Sequence, residues 1–104
     1  MKESSIQTSV EQVLRLYERR GKCLYIKNNS GAYKTERGAF VRFGKKGSSD
    51  FMLFLTGKTF FLEVKTPSGR QTQGQKDFQR QVEALGHQYR IVRSAAEVQQ
   101  LIEI

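Results

Sequence analysis

The chain has 104 residues, 38% of them hydrophobic and 11% aromatic, which suits one folded domain over residues 1–104 and leaves little room for a second. Eighteen Lys and Arg against ten Asp and Glu give a formal charge of +8, which points to a polyanionic partner: nucleic acid first, an anionic membrane surface second. No run approaches the ~20 apolar residues of a membrane span, the polar opening stretch lacks a signal-peptide core, and the single cysteine, Cys23, excludes an internal disulfide or a cysteine zinc site, so a reducing cytoplasm is the expected compartment.

The first predicted element is a helix over residues 4–20, where Ile6, Val10, Val13, Leu14 and Tyr17 recur at helical spacing and Gly21 stands where a helix would stop. Residues 23–28 read as a strand. Asn29–Gly38 is a turn-rich segment, Ala39–Phe43 a short strand, and Gly44–Ser49 a basic, flexible loop. Asp50–Leu55 and Thr59–Lys65 are strong strand signals joined by Thr56-Gly57-Lys58, so an antiparallel hairpin is expected. Their near-continuous apolar runs suggest a sheet covered on both faces. A second helix over 73–85 places Phe78, Val82 and Leu85 on one face. A strand at Tyr89–Arg93 and a helix over 95–103 complete the chain. The order α-β-(β)-β-β-α-β-α defines an α/β fold, a mixed sheet flanked by helices.

Chemistry concentrates on the hairpin. Asp50 opens its first strand and Glu63-Val64-Lys65 closes its second, so antiparallel pairing brings the two ends together. Alternation puts Glu63 and Lys65 on one face and Val64 on the other. Two converging carboxylates form a hard-oxygen site suited to Mg²⁺ or Mn²⁺. An adjacent lysine can orient an attacking water or stabilise charge on a phosphoryl transition state. A plain Glu–Lys pair on a wet face is the alternative. Phe51–Leu55 and Phe60-Phe61-Leu62 argue against it, because charges inside apolar strands need a reason.

Gly47-Ser48-Ser49-Asp50, followed by Glu63-Val64-Lys65, resembles the PD-(D/E)XK nuclease superfamily. With Gly69-Arg70-Gln71-Thr72-Gln73-Gly74-Gln75-Lys76-Asp77-Phe78, Gly86 and Val92-Arg93-Ser94, the chain resembles the virus-type replication-repair nuclease domain, VRR-NUC, as found in stand-alone phage proteins. Ser49 departs from that pattern, which has proline before the aspartate. The resemblance implies a metal-dependent DNA endonuclease with Asp50 and Glu63 as ligands, the Val64 carbonyl as a further ligand, and Lys65 assisting the water. It also implies a third carboxylate before an Ile-Gln pair, here Glu3 ahead of Ile6-Gln7. At about 100° per residue Glu3 lies nearly in line with Val10, at the end of the apolar stripe, whereas Glu11 is rotated about 100° to the flank and is the fallback. A simple dipole preference for the helix start is the other explanation of Glu3. Gln75 is the remaining implied site residue. Thr72-Gln73-Gly74-Gln75 also fits a capping box, and the two roles are expected to need different rotamers. Homodimers acting on branched DNA such as Holliday junctions are implied as well.

Across the loop region Lys27, Lys34, Arg37, Arg42, Lys45 and Lys46 outnumber Glu36, which suits phosphate contact or simply a solvated surface. Arg93 ends a strand with the same two readings. Tyr33 and Phe40 suit either base stacking or the core. His87 is expected to be structural and Cys23 buried. Candidate dimer faces are the 95–103 helix, through Val98, Leu101 and Ile102, and the Ala39–Phe43 strand. The rival functions are a non-catalytic basic nucleic-acid binder and a subunit whose basic face meets an acidic protein.

Overall fold

A computed structural model describes residues 2–104. Helix α1 runs over Glu3–Arg19 and buries Ile6, Val10, Leu14 and Tyr17, the stripe set by its apolar spacing. It stops in a Schellman arrangement: Lys22 N–H donates to the Tyr17 carbonyl at 2.9 Å and Gly21 N–H to that of Glu18 at 3.0 Å. Strand β1 (Leu24–Lys27) follows, and later β4 (Phe51–Leu55), β5 (Lys58–Val64), α2 (Gln73–Ala84), β6 (Gln88–Val92) and α3 (Ala95–Glu103).

These strands form one mixed sheet in the order β1-β4-β5-β6. β4 and β5 pair antiparallel with Phe51 opposite Leu62, and β5 pairs parallel with β6, Val64 opposite Val92. The parallel step needs a crossover, which α2 supplies. One sheet face packs Phe51, Leu53, Phe60, Leu62 and Val64 against Ile6, Val10 and Leu14 of α1 and Val98 of α3. On the other face, Phe78 of α2 meets Phe61 and Tyr89 edge-on, at centroid distances of 5.8 and 6.4 Å. That second cover is partial, because Leu24 and Ile26 on β1 stay exposed.

Three expectations are corrected. The segment 29–38 is not turn throughout: Gly31–Lys34 is a strand, β2, pairing antiparallel with β3 (Phe40–Phe43) in a separate two-stranded sheet. All four β2 residues are exposed, so no alternation of apolar side chains marked it. Leu85 is 76% exposed, because α2 ends before it and Leu85 serves as the C-cap. Cys23 is only half-buried, its thiol donating to the Leu14 carbonyl at 3.7 Å. Among the described residues no helix is long and apolar enough to cross a membrane.

Candidate active site

At one end of the sheet, β4 begins where β5 ends. Asp50 precedes β4 and turns its carboxylate across to β5, where Oδ2 accepts from Val64 N–H at 2.7 Å. Glu63 is 1% exposed and Lys65 6%, and Lys65 Nζ lies 3.9 Å from Glu63 Oε2. The helix start closes the cluster. Carboxylate oxygens of Glu3, Asp50 and Glu63 all lie within 4.8 Å of one another. Glu11 is elsewhere, held by Tyr25 Oη (3.0 Å), Arg15 (3.4 Å) and Lys27 (3.6 Å).

Gln75 overturns the expectation of two alternating rotamers. Its side-chain oxygen accepts from Thr72 N–H at 2.9 Å, completing the capping box, while its Nε2 donates to Glu63 Oε2 at 3.1 Å. The amide has two ends and uses one for the helix and the other for the site. Glu63 Oε2 is thus satisfied, but Glu63 Oε1 is buried and has no hydrogen-bond partner. An orphaned carboxylate oxygen is costly unless a charge meets it. Its residue is one of three whose carboxylates cluster here, and a divalent cation is the group such a donor set fits.

The lead-in to Asp50 is built as closely. Gly47 adopts φ +79°, and a Cβ there would sit 2.5 Å from the Gly74 carbonyl oxygen, so only glycine lets this loop touch the start of α2. Asn28 Nδ2 holds the next two residues, donating to Ser48 Oγ at 2.7 Å and the Ser49 carbonyl at 2.8 Å. Ser49 is 1% exposed, and its hydroxyl donates to the Phe51 carbonyl at 3.3 Å. A buried serine tied to the backbone thus takes the place where the resemblance expects proline. Sequence reasoning missed Asn28 and gave Gly47 only as part of the motif before Asp50; the contacts that make both matter are tertiary.

Burial pushes the Glu63 carboxyl up to about 8, with the neighbouring Asp50 and Glu3 charges adding to the shift and the Lys65 ammonium opposing it. Burial also raises Asp50, against the pull of Val64 N–H, Glu63, Lys65 and Lys27. A carboxyl raised on folding keeps its proton longer in the folded state, so stability falls as pH rises from the unfolded value of 4.5 to about 8. Chelated protein should therefore melt several degrees lower at pH 8 than near pH 5. Glu63→Gln should flatten that slope, which thermal melts across the range will show.

The basic residues divide. Lys34, Arg37, Arg42, Lys45 and Lys46 are exposed. Lys45 and Lys46 line a hollow of ≈ 420 Å³ with Gly74 and Phe78, beside the start of α2. Arg93 Nη1 instead donates to the carbonyls of Thr66 (2.6 Å), Gly69 (2.8 Å) and Pro67 (3.4 Å), fixing the loop that follows Lys65. That nitrogen is committed to the fold rather than presented to a phosphate. Of the aromatics, Tyr33 is 55% exposed and Phe40 71%. His87 is exposed in the α2–β6 turn near Phe61. Val98 is fully buried, and Leu101 and Ile102 pack on the core beside it, so α3 spends its apolar face inside the molecule.

No family model and no curated protein matches the chain. A solved structure described as a VRR_NUC domain does match, with 22% identity and a TM-score of 0.58, covering 91% of this chain and 95% of the other. The likeness is one of fold over nearly the whole length, and it is the fold that the sequence resemblance implied.

Proposed function

We propose that this VRR_NUC-like domain is a divalent-metal-dependent DNA endonuclease acting as a homodimer on branched DNA such as Holliday junctions. The observation that carries the proposal is the clustering of the Glu63, Asp50 and Glu3 carboxylates, with Oε1 of Glu63 buried and without a partner. A non-catalytic binder has no use for that arrangement. In this reading Glu63, Asp50 and Glu3 hold Mg²⁺ or Mn²⁺, and the Val64 carbonyl is a further oxygen ligand. The bound ion supplies Lewis-acid polarisation of the scissile phosphate and lowers the pKa of water.

The chain's own residues do the rest. Val64 N–H fixes one Asp50 oxygen and leaves the other for the ion. Gln75 holds Glu63 by Oε2, which leaves Oε1 free for the ion. Lys65 carries a buried positive charge beside Glu63, placed to orient the attacking water and to stabilise charge developing on the phosphate. Exposed Lys45 and Lys46 beside the α2 start are placed to meet the backbone of an approaching duplex. The single cysteine and the substrate suit action in the cytoplasm.

Severing two strands with one small site requires re-binding or a second copy. A two-fold dimer provides two sites related as the arms of a four-way junction are. The test is incubation with a junction and a matched linear duplex in Mg²⁺, Mn²⁺ or EDTA, alongside sedimentation at micromolar protein. Cleavage restricted to the metal samples, faster on the junction, by a particle of dimer mass is expected. Binding without cleavage in any metal would refute hydrolysis, and a monomer cutting both substrates equally would refute the dimer and the selectivity.

DNA affinity should fall steeply with salt, each phosphate contact contributing about −0.9 to the log–log slope on duplex DNA. Replacing Lys45 and Lys46 together by alanine should reduce that slope by up to about two. An unchanged slope in a salt titration would show that this loop stays off the backbone.

A further inference from the structure

The β2–β3 ribbon leaves the molecule at the active-site end. The chain departs at Asn28, whose N–H donates to the Asp50 carbonyl at 2.8 Å, and returns through Gly47 and Ser48 into Asp50 itself. β2 and β3 pack on each other and not substantially on any other element, and the molecule measures 48 × 30 × 28 Å. Such a ribbon buries little of its own, yet it carries three aromatic rings.

Its two faces differ. The register sets Tyr33 opposite Val41 and Gly31 opposite Phe43, and alternation puts all four on one face. There Tyr33 and Phe43 lie against each other at 6.3 Å, and Phe43 covers Gly31 so closely that a Cβ would come within 3.1 Å of the ring. The other face holds Ala32, Lys34, Phe40 and Arg42. Lys34 is directly opposite Phe40, and Arg42 is the next residue on that face of the same strand. Phe40 is 71% exposed. An open ring between two cations has the composition of a nucleotide platform, where the ring takes a base and the cations take phosphates.

We infer that the Lys34–Phe40–Arg42 face takes an unpaired nucleotide of the DNA. Its base stacks on Phe40, and its flanking phosphates meet Lys34 and Arg42. The substrate class is therefore DNA in which unpaired nucleotides adjoin a duplex, since the bases of a perfect duplex offer no free face to the ring. The inference rests on the nuclease reading only for the identity of the polymer. A second copy of the chain is the other apolar occupant to consider. Charge opposes it: the ribbon has Lys34, Arg37 and Arg42 against Glu36 alone, and a two-fold axis would set these cations facing one another.

Anisotropy titrations in EDTA, using a duplex with a short thymine tail and a blunt duplex, test the assignment. Wild type should prefer the tailed ligand by roughly tenfold, the scale of one base stacked on an aromatic side chain. F40A and F40L should bring that ratio close to one, and F40W should restore it. A 2-aminopurine in the tail should be quenched by wild type and not by F40A. Circular dichroism should be the same for all four proteins. An unchanged ratio in F40A overturns the inference, as does a fall from dimer to monomer mass on making F40A, which would give the face to a second copy. Tail preference without cleavage in any metal would sink the nuclease reading and leave this one standing. Cleavage without tail preference would do the reverse.

Discussion

Glu63→Ala should slow cleavage on the order of a thousandfold or more while the protein stays folded, because it removes the most buried ligand of the proposed ion. Retention of the fold follows from the same geometry that makes Glu63 useful. One of its oxygens is buried with no partner, a cost that offsets what the carboxyl gains from Gln75 and Lys65, so its loss changes the stability of the metal-free protein little. Gln75 loses one bond and keeps its capping bond to Thr72. Glu63→Gln should be just as inactive, since an amide is a poor ligand for a hard ion in this position. Single-turnover rates with circular dichroism are the measurement. Full activity in Glu63→Ala would end the nuclease assignment.

Lys65→Ala should lose about a hundredfold to a thousandfold in rate, the scale of removing one electrostatic stabiliser of the transition state. Unlike the carboxylate variants, it should still bind metal. Its effect should fall on kcat rather than KM, since Lys65 is 6% exposed and too enclosed to contribute much to general DNA affinity. Lys65→Arg should not rescue, because a rigid planar guanidinium presents its charge and donors differently from a compact ammonium on a flexible stem. A variant with normal rate would leave Lys65 a structural partner of Glu63.

Much of this was legible in the sequence, for identifiable reasons. Helix α1 advertised itself through Ile6, Val10, Leu14 and Tyr17, because a buried stripe must repeat with the helical period. The β4–β5 hairpin was legible because two apolar runs flank one short turn, and antiparallel pairing then forces Asp50 toward Glu63. The structure brings those two together with Lys65, Glu3 and Gln75, although their chemical roles rest on the proposal. The β2 strand was hidden because Gly31-Ala32-Tyr33-Lys34 pairs only with β3 and stays exposed, so no core imposes an apolar alternation on it. The double duty of Gln75 was hidden too. It depends on the distance between a helix start and a strand end, set by Gly47 lying against Gly74. The fate of Arg93 was decided by the path of the 66–69 loop, which no local signal encodes.

Anomalous diffraction from crystals grown with Mn²⁺ tests the centre of this reading most directly. The expected result is an ion at coordinating distance from Glu63 Oε1, sharing Asp50 and Glu3, and absent from crystals of Glu63→Ala. An ion bound only elsewhere, or none at these carboxylates at saturating Mn²⁺, would contradict it.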